Sequence, residues 1–541
     1  MNSAELFVKC LEAEGVKHVF SLPGEETIDL LKALTSSTIE VVTTHDERWA
    51  AFMANAYGRL TGKPGVCLST LGPGATNLMT GVADALLDFS PMVAITGQTS
   101  IAKTHKESHQ YIDILSAFRT VTKWNARIES PNVIPEIVRK AFKTASAEKP
   151  GPSHIEFPEN VALNDAVGNP VPHETEHYPE PSEDAIDHAV TLIRDAKFPL
   201  VLVGNGIIRG KASRALRKFV SRTHIGVAAT FMGMGALPSD DDCFISTVGL
   251  QSRDYISCGF EKADLIIAVG YDPVEFSPRY WNPDTNKRII HIHFVPSETD
   301  SHYPAIEIIG DIARALSLLS ERLDGREISP YYLKLKVLAD HGVHFSHKGF
   351  PLRPLRILKE IRHVLGRTDI LISDVGAHKI WIARFFPAYA ENTVLISNGF
   401  ASMGFGIPAA ISAKLLFPEK KVIAAVGDGG FLMSMCEINT AVRLGISFVC
   451  LIFNDGGYGL IEWKEKLRYK ESFHVKFNTP DFVRIAESFG ARGYRISSED
   501  ELLPVLNDAL SQAVPSIIDC PVDYSDNLIM TEKLGRLICP M

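Results

Sequence analysis

The sequence predicts an α/β protein of three domains, each a parallel sheet flanked by helices. The chain has 541 residues, and a domain usually takes ~150 residues. Short apolar runs alternate with segments of helical period throughout, which is typical of parallel strands connected by helices. Two polar stretches, residues 150–183 and 325–353, interrupt the alternation and have the composition of linkers. We therefore expect domains over residues 1–165, 184–325 and 350–541.

The overall composition narrows the classes of function. Apolar residues make up 45% and charged residues 22% of the chain, as in soluble globular proteins. The net charge of −9 argues against a nucleic-acid-binding surface, and no apolar run reaches the length of a membrane span. The N-terminus has the pattern of an amphipathic helix rather than of a signal peptide. The eight cysteines form no CxxC pair, so we expect buried free thiols in a cytoplasmic protein.

The individual elements follow from local patterns. Helices are predicted where apolar residues recur with a period near 3.6, and strands where short apolar runs end at glycine or proline. In chain order the prediction is a helix over residues 3–14, strands at 19–20 and 41–42, a helix over 47–59, strands over 65–68, 92–96 and 200–203, a helix over 211–222, and strands over 263–269 and 370–373.

One stretch in the last third carries the most informative pattern. A strand over Val422–Val426 ends at a Gly-Asp-Gly-Gly turn, a helix is predicted over 431–442, and a strand over Phe448–Phe453 ends at Asn-Asp-Gly-Gly. The carboxyl ends of parallel strands meet at one edge of a sheet, where ligands of open α/β sheets bind. Asp428 and Asp455 are therefore expected to converge. Two carboxylates form an oxygen site suited to Mg²⁺, and the glycines let backbone N–H groups approach a diphosphate.

This arrangement resembles the GDG-to-Asn signature of thiamine-diphosphate (ThDP) enzymes. The resemblance implies that the carboxylates of Asp428 and Asp455 and the backbone carbonyl of Gly457 hold Mg²⁺. The family usually has Asn-Asn where this chain has Asn454-Asp455, and the Asn-Asp form is similar to the flavin-free, catabolic acetolactate synthases. A GDG turn on its own would be more typical of an ordinary βαβ connection. The cofactor-binding residues implied in the same segment are Gly427, Gly429, Gly430 and Tyr458.

Glu47 is the catalytic residue that the resemblance implies in the first third. It follows a predicted strand and begins a helix of small residues, where the helix dipole alone would also favour a carboxylate. ThDP enzymes place one glutamate against N1′ of the aminopyrimidine ring, and a carboxyl group in a dry apolar environment can share a proton with that nitrogen. The surrounding segments, HDERWAAFMANAYGRLTGKPG and STLGPGATNLMTGVADALLD, resemble the pyrimidine-binding domain of the family.

Other contacts in the first third are implied by the same resemblance. Gln110 lies in the segment HKESHQYIDILSAFRTVTKWN, where acetolactate synthases use a glutamine to contact bound substrate. Its neutral amide can donate to a developing oxyanion, although an exposed polar loop is the alternative interpretation of this segment. Pro23 and Gly24, which break a predicted strand, are implied cofactor contacts.

The last third contributes the remaining implied cofactor contacts. The strand over residues 370–373 opens onto an Asp-Val-Gly-Ala-His loop, in which the backbone of Gly376 and the side chain of His378 would contact the diphosphate. Met403 stands where the family has a bulky apolar residue between the two rings of the cofactor, although core packing would equally suit a methionine. The pyrimidine-binding and diphosphate-binding domains would then flank a Rossmann-like middle domain.

The middle domain distinguishes two branches of the family. Its Gly204-x-Gly206 turn suggests nucleotide binding, but the third glycine is misplaced for the dinucleotide fingerprint. Biosynthetic acetohydroxyacid synthases bind FAD here with an Arg-Phe-Asp-Asp run, whereas this chain has Tyr-Asp-Pro-Val-Glu at 271–275. We therefore expect no FAD. Lys464, with Trp463 one position earlier, replaces the tryptophan that selects 2-ketobutyrate in the biosynthetic enzymes, which favours pyruvate alone.

The resemblance covers essentially the whole chain and implies a ThDP- and Mg²⁺-dependent acetolactate synthase that joins two pyruvates and releases CO₂. Another ThDP-dependent 2-oxoacid decarboxylase or carboligase is an alternative. A cofactor-free regulatory or binding subunit is a third, against which the intact Glu47, Asp428 and Asp455 argue. By resemblance, Glu47 of one subunit faces a diphosphate held by another. We therefore expect a homodimer as the minimum and a homotetramer as the full assembly, with pyruvate as the substrate and no nucleic-acid or membrane partner.

Overall fold

Three parallel sheets form the framework of the molecule. They are seen in a computed structural model, which describes residues 1–173, 178–249, 253–341, 348–535 and 539. Each sheet has six strands, and the strands within each sheet pair in parallel. The prediction of three α/β domains is confirmed. Within the described ranges, no helix combines the length and the apolar character that crossing a membrane requires.

The first sheet has hydrophobic clusters on both faces, because neighbouring strand residues such as Val66 and Cys67 belong to different clusters. Its strands are β1 (His18–Ser21), β2 (Glu40–Thr43), β3 (Gly65–Ser69), β4 (Met92–Gln98), β5 (Trp124–Arg127) and β6 (Pro152–Pro158). Its helices are α1 (Ser3–Ala13), α2 (Ile28–Leu34), α3 (Glu47–Thr61), α4 (Pro73–Leu87), α5 (Ile114–Phe118), α6 (Ile134–Ser146) and α7 (Glu159–Ala162). The strand order is β2-β1-β3-β4-β6-β5.

The second sheet belongs to the middle domain and is covered in the same way. Its strands are β7 (Pro199–Val203), β8 (Gly226–Ala229), β9 (Phe244–Thr247), β10 (Leu265–Val269), β11 (Arg288–His293) and β12 (Ala305–Ile309). Its helices are α8 (Glu183–Asp195), α9 (Gly206–Arg209), α10 (Ser213–Thr223), α11 (Tyr255–Lys262), α12 (Ile312–Arg322) and α13 (Pro330–His341). The strand order is β12-β11-β10-β7-β8-β9.

The third sheet repeats the arrangement of the first. Its strands are β13 (Ile370–Ser373), β14 (Val394–Ile396), β15 (Val422–Gly427), β16 (Val449–Asn454), β17 (Arg492–Arg495) and β18 (Ser516–Pro521). Its helices are α14 (Pro354–Val364), α15 (Ala377–Phe385), α16 (Gly406–Leu416), α17 (Asp428–Ser434), α18 (Glu437–Arg443), α19 (Gly459–Tyr469), α20 (Phe482–Ser488), α21 (Leu502–Ser511) and α22 (Asp526–Gly535). The strand order is β14-β13-β15-β16-β18-β17.

The first and third domains share one hydrophobic core. Residues of α3 and α4 belong to the same buried cluster as residues of α16 and β15. Phe52 of α3 meets Phe405, which precedes α16, edge to face with ring centroids 5.8 Å apart. Such a continuous apolar interface holds the two domains in a fixed relation, which matters because both contribute candidate site residues.

Two expectations about linkers are wrong in part. Within residues 150–183, Pro152–Pro158 forms β6, which lies between β4 and β5 in the sheet. Its polar side chains are paired inside the sheet, since the ring of His154 is within 2.9 Å of Thr96 Oγ1 and Glu156 pairs with Arg127. Within residues 325–353, the helix α13 buries one face against the middle domain.

Two further expectations need correction. The helix predicted over 431–442 is divided into α17 and α18 at Met435 and Cys436. The expectation of free thiols fails for Cys258 and Cys539, which form a disulfide between α11 and the C-terminal region. The other six cysteines are free, and five of them are buried.

Candidate active site

Two loops meet at the carboxyl edge of the third sheet, where β15 and β16 are parallel neighbours. Asp428 Oδ2 accepts the backbone N–H groups of Gly456 at 2.7 Å and Gly457 at 3.1 Å. Its Oδ1 accepts the N–H of Gly429 at 2.7 Å. Asp428 therefore ties the loop after β15 to the loop after β16, and brings Asp455 into the same small region. This convergence is the one that the strand pattern predicts.

The charge of Asp428 makes ionisation of the neighbouring Asp455 less favourable. Burial raises the pKa of Asp428 above its ordinary value, and burial together with the charge of Asp428 raises the pKa of Asp455 to about 7. Lys476 compensates in part, with Nζ 3.8 Å from Asp455 Oδ2 and 2.8 Å from Glu462 Oε2. Two adjacent carboxylates with raised pKa values form a site that a divalent cation would stabilise strongly.

The side chain of His378 lies beside these loops. His378 is 1% exposed and stacks on Phe453 with ring centroids 5.3 Å apart. A Cβ on Gly376 would lie 2.7 Å from the ring, and one on Gly427 would lie 3.5 Å from it. Burial lowers the pKa of His378 to about 3, so its ring is neutral at pH 7. Among the described residues, no group pairs with its buried Nε2, which is therefore available to a ligand.

Met403 reaches the same region from another loop. A Cβ on Gly429 would lie 3.4 Å from Met403 Cε and 2.8 Å from the Tyr458 ring, so the glycine leaves a cradle between the two side chains. The fully buried carboxylate of Asp374 accepts the N–H of Gly404 with both oxygens at 3.0 Å. It fixes the turn that follows Met403. Burial raises the pKa of Asp374 to about 6.

Gly430 completes the tight packing under the loop after β15. A Cβ at this position would lie 2.9 Å from Asp374 Oδ2, a distance that a real Cβ essentially never shows. Glycine is therefore required for α17 to approach Asp374. This close approach places Asp428, at the start of α17, near the end of β13.

Glu47 lies at the start of α3 in the first domain and is 5% exposed. Its Oε2 accepts the side-chain N–H of Asn77 at 3.0 Å. A Cβ on Gly74 would lie 3.0 Å from its Oε1, so glycine there leaves room beside the carboxylate. Asp46 caps α3 by accepting the N–H of Arg48 at 2.8 Å. The carboxylate of Glu47 is thus held by the start of α4 in a largely dry environment.

The other candidate residues of the first domain lie on loops near Glu47. Gln110 is exposed and has a φ of 56°, and a Cβ on Gly72 would lie 2.5 Å from its carbonyl oxygen. Gln110 therefore packs against the loop that leads into α4. Pro23 is exposed, and a Cβ on Gly24 would lie 2.3 Å from Thr70 Cβ. The loops after β1 and β3 are therefore in direct contact.

The candidate residues form two groups. The contacts described for Glu47 and Gln110 lie within the first domain, whereas those of Asp428, His378 and Met403 that form the cradle lie within the third. Large apolar side chains at the rim of the second group are open to solvent, namely Phe400 at 45%, Met433 at 41% and Tyr458 at 39% exposure. Exposed apolar side chains beside a polar site are typical of a surface that another molecule covers.

The residues present fit ThDP and Mg²⁺ on three observations of this structure. The unpaired Nε2 of His378 can donate to a diphosphate oxygen when the single proton of the neutral ring is on Nε2. The carboxylates of Asp428 and Asp455 supply the oxygen ligands that Mg²⁺ prefers. The cradle between Met403 and Tyr458, open because residue 429 is a glycine, is bounded by apolar groups that suit an aromatic ring.

Several contributing residues were missed by sequence analysis. Three of them contact a predicted site residue or the turn beside one. Asn77 donates to Glu47, and Lys476 lies near Asp455. Asp374 accepts from Gly404, next to Met403. Asp374 begins the Asp-Val-Gly-Ala-His loop, and Asn77 lies in the segment STLGPGATNLMTGVADALLD. Their positions in these motifs could therefore have marked them as candidates. Lys476 is brought to Asp455 by an isolated antiparallel bridge with Gly457, which no local pattern announces. Trp463 is buried at 6% exposure and donates to Thr531 Oγ1 at 3.3 Å, so it is a packing residue.

In the middle domain the Gly204-x-Gly206 turn is occupied by the protein itself. The carboxylate of Glu275 accepts the N–H of Asn205 at 2.9 and 3.2 Å and the hydroxyl of Thr230. Burial and the charge of Asp272 raise the pKa of Glu275 to about 8. A Cβ on Gly206 would lie 2.7 Å from the Cα of Gly270, so this turn needs glycine for close backbone packing.

Comparison with known proteins identifies the family of the chain. Sequence models of the thiamine pyrophosphate enzymes match the chain over residues 1–117 (N-terminal TPP binding domain), 186–319 (central domain) and 374–520 (C-terminal TPP binding domain). The chain is 36% identical to the acetolactate synthase of Bacillus subtilis (strain 168), over 99% of this chain and 96% of that protein. It is 34% identical to the catabolic acetolactate synthase of Raoultella terrigena, over 98% and 97%, and 29% identical to the acetolactate synthase isozyme 2 large subunit of Escherichia coli (strain K12), over 98% and 97%. The chain therefore belongs to the thiamine pyrophosphate enzymes, and within them to the acetolactate synthase group.

Proposed function

We propose that the protein is a ThDP- and Mg²⁺-dependent acetolactate synthase of the flavin-free type, which converts two pyruvate molecules into 2-acetolactate and CO₂. The observation that carries the proposal is the junction of the loops after β15 and β16. It brings Asp428 and Asp455 together, and the ring of His378, whose Nε2 is unpaired, packs beside the same loops. The test is consumption of pyruvate by the purified protein. It should require both ThDP and Mg²⁺, and activity that survives exhaustive removal of either one would contradict the proposal.

Each residue in the site has a role that follows from its surroundings. Asp428, Asp455 and the carbonyl of Gly457 would hold Mg²⁺, while His378 and the backbone at Gly376, Gly427, Gly429 and Gly430 would contact the diphosphate. Bound there, ThDP supplies an electron sink for decarboxylation and for the new carbon–carbon bond. Met403 and Tyr458 would support the rings from the two sides of the cradle.

Glu47 and Gln110 would act on the other side of the cofactor. The partly dry setting of Glu47 and its hydrogen bond from Asn77 suit a carboxyl group that holds a proton at N1′ of the aminopyrimidine. Gln110, on an exposed loop beside Gly72, would donate its amide N–H to a substrate oxygen. Pro23 and Gly24 would complete this half of the site next to Thr70.

A homodimer is the smallest assembly that would complete such a site, with Glu47 of one subunit facing the metal ligands of another, and a homotetramer would pair two dimers. The solvent-exposed Phe400, Met433 and Tyr458 support a covered surface at this place. Co-expression of Glu47→Gln chains with Asp428→Ala chains tests the arrangement. Random pairing should restore about a quarter of wild-type activity, whereas no restoration would contradict a shared site.

The proposal includes the absence of FAD. The N–H of Asn205, where a dinucleotide phosphate would bind at the Gly204-x-Gly206 turn, already donates to Glu275. The negative charge of Asp272 lies nearby and is paired with Arg209 and Lys149. A flavin diphosphate would have to displace Glu275. The cytoplasmic location expected from the sequence is likewise a prediction, which cell fractionation would test.

A further inference from the structure

A polar seam runs between helices α3 and α4 of the first domain. The residues of α3 in the seam recur every four positions, so they share one face of the helix. Asn77 donates to Glu47 at 3.0 Å, and Asn55 donates to Asp84 at 2.8 Å. The seam has three polar pairs, Glu47–Asn77, Asn55–Asp84 and Arg59–Asp88. Ala51 packs on Gly81 between the first two.

The end of the seam opposite Glu47 contacts the third domain. Asp88, 2% exposed, accepts the backbone N–H of Gly399 at 2.6 Å and that of Asn398 at 3.2 Å. Asp84, fully buried, accepts the hydroxyl of Ser397 at 2.6 Å. The Arg59 contact of Asp88 is longer, at 3.4 Å. The closest hydrogen-bond partner of Asp88 is therefore the backbone of another domain rather than its neighbouring arginine.

The segment held in this way leads directly to Met403. Ser397 Oγ also accepts the N–H of Ser402 at 3.2 Å, so the segment folds back on its own first residue. Asp374 holds Gly404 on the far side of Met403. A displacement at Gly399 would consequently reach Met403, because Met403 lies on the short segment between the anchors at Gly399 and Gly404.

We propose that Asp88, assisted by Asp84, is a positioning residue of the active site, which fixes from the first domain the loop that carries Met403 in the third domain of the same chain. The inference rests on the proposed function, since the role of Met403 belongs to it. In Asp88→Asn one of the two acceptor oxygens becomes an NH₂ donor, which would face Arg59 or the half-buried backbone N–H groups of Asn398 and Gly399 instead of accepting from them. A small shift of a group that orients a reacting ligand can lower the rate by about 100-fold.

A matched control exists in the same chain. Asp254 is also 2% exposed, and it too accepts an arginine, Arg384, at 3.1 Å and a backbone N–H, that of Ile256, at 3.0 Å. Its contacts lie between the middle domain and α15. The variants Asp88→Asn and Asp254→Asn therefore remove the same chemical group from similar surroundings, and only the first touches the Met403 loop.

The experiment uses the full chain labelled with ¹³C in the methionine methyl groups, with the signal of Met403 assigned by its loss in Met403→Leu. Without cofactor, Asp88→Asn should shift or broaden the Met403 signal, and Asp254→Asn should leave it in place. With ThDP and Mg²⁺, Asp88→Asn should lower kcat by about 10- to 100-fold with a smaller change in KM for pyruvate. Asp254→Asn should keep kcat within about threefold of wild type.

An unchanged Met403 signal in Asp88→Asn, or equal losses of kcat in the two variants, would overturn the inference. If Asp88→Asn does not fold, Gly399→Ala tests the same contact with both carboxylates intact, because its Cβ would meet the carbonyl oxygen of Leu87 at 2.5 Å. It should also move the Met403 signal, and an unchanged signal would again overturn the inference. A wild-type protein that does not convert pyruvate would refute the proposed function instead, while the labelled-methionine result would still report on the loop.

Discussion

Replacement of Asp455 by asparagine should remove the part of the pH dependence of cofactor binding that comes from ionisation of this side chain. The carboxyl group of Asp455 has a pKa of about 7, raised by burial and by the charge of Asp428. Below pH 7 it is therefore mostly protonated and a poor ligand for Mg²⁺. Asparagine keeps an oxygen ligand at the same position but is neutral at every pH, so it separates the geometric contribution of residue 455 from its charge.

The size of the effect follows from the pKa. A group with a pKa of about 7 is roughly 10% ionised at pH 6 and roughly 90% ionised at pH 8, so the affinity of the wild-type site for Mg²⁺ should rise about tenfold between these values. The diphosphate of ThDP also titrates, but it does so equally in both proteins. The difference between wild type and Asp455→Asn therefore isolates the contribution of the side chain.

The assay is the Mg²⁺ concentration that gives half-maximal binding of ThDP, followed by quenching of tryptophan fluorescence at pH 6, 7 and 8. Wild type should gain affinity more steeply than Asp455→Asn as the pH rises. At pH 8 the variant should bind more weakly, because it lacks one negative charge. Parallel pH dependences in the two proteins would refute the assignment of Asp455 as an ionised metal ligand.

Three more predictions concern the metal ligands, the catalytic glutamate and the absence of flavin. Asp428→Ala should abolish retention of ThDP with Mg²⁺, since it removes both a ligand and the acceptor of three loop N–H groups; retention on gel filtration equal to wild type would contradict this. Glu47→Gln should slow hydrogen exchange at C2 of bound ThDP by ~10²–10⁴-fold with a much smaller loss of ThDP affinity, and an unchanged exchange rate by NMR would remove Glu47 from its role. The purified protein should show no flavin absorbance and full activity without FAD, so a yellow protein that needs added FAD would be evidence against the flavin-free type.

The fold and the convergence of the loops at the candidate site were predictable from sequence because they depend on local patterns. Two apolar runs that each end in a glycine-rich turn place Asp428 and Asp455 at one sheet edge in any parallel unit. The same argument places Glu47 after β2, at the start of α3. To predict each of these positions it is enough to know where a strand ends and that its neighbour runs parallel to it.

Contacts that join distant parts of the chain were not predictable in this way. Gly399 and Asp88 lie 311 positions apart, and the cysteines of the disulfide lie 281 positions apart. No periodicity of either segment indicates the partner of the other. The contacts of Asp84 and Asp88 that position the Met403 loop were therefore missed, although the resemblance had indicated Met403 as a candidate residue.

Polar composition led to a wrong linker prediction where polar residues are paired inside the fold. β6 contains His154 and Glu156, both fully buried, and reads as part of a polar linker because the partners Thr96 and Arg127 lie elsewhere in the sequence. In α13, the buried Tyr332, Leu335 and Ala339 do follow a helical period, but the charged residues between them concealed it.

The measurement that tests the central claim most directly is the identification of the product formed from ¹³C-labelled pyruvate with ThDP and Mg²⁺. Carbon-13 NMR of the reaction mixture distinguishes a ligated product from simple decarboxylation. The structure and the proposed roles of Glu47, Asp428 and Asp455 predict 2-acetolactate, with one CO₂ released for every two pyruvates consumed. Acetaldehyde as the sole product would show a decarboxylase rather than an acetolactate synthase, and pyruvate left unconsumed would contradict the account as a whole.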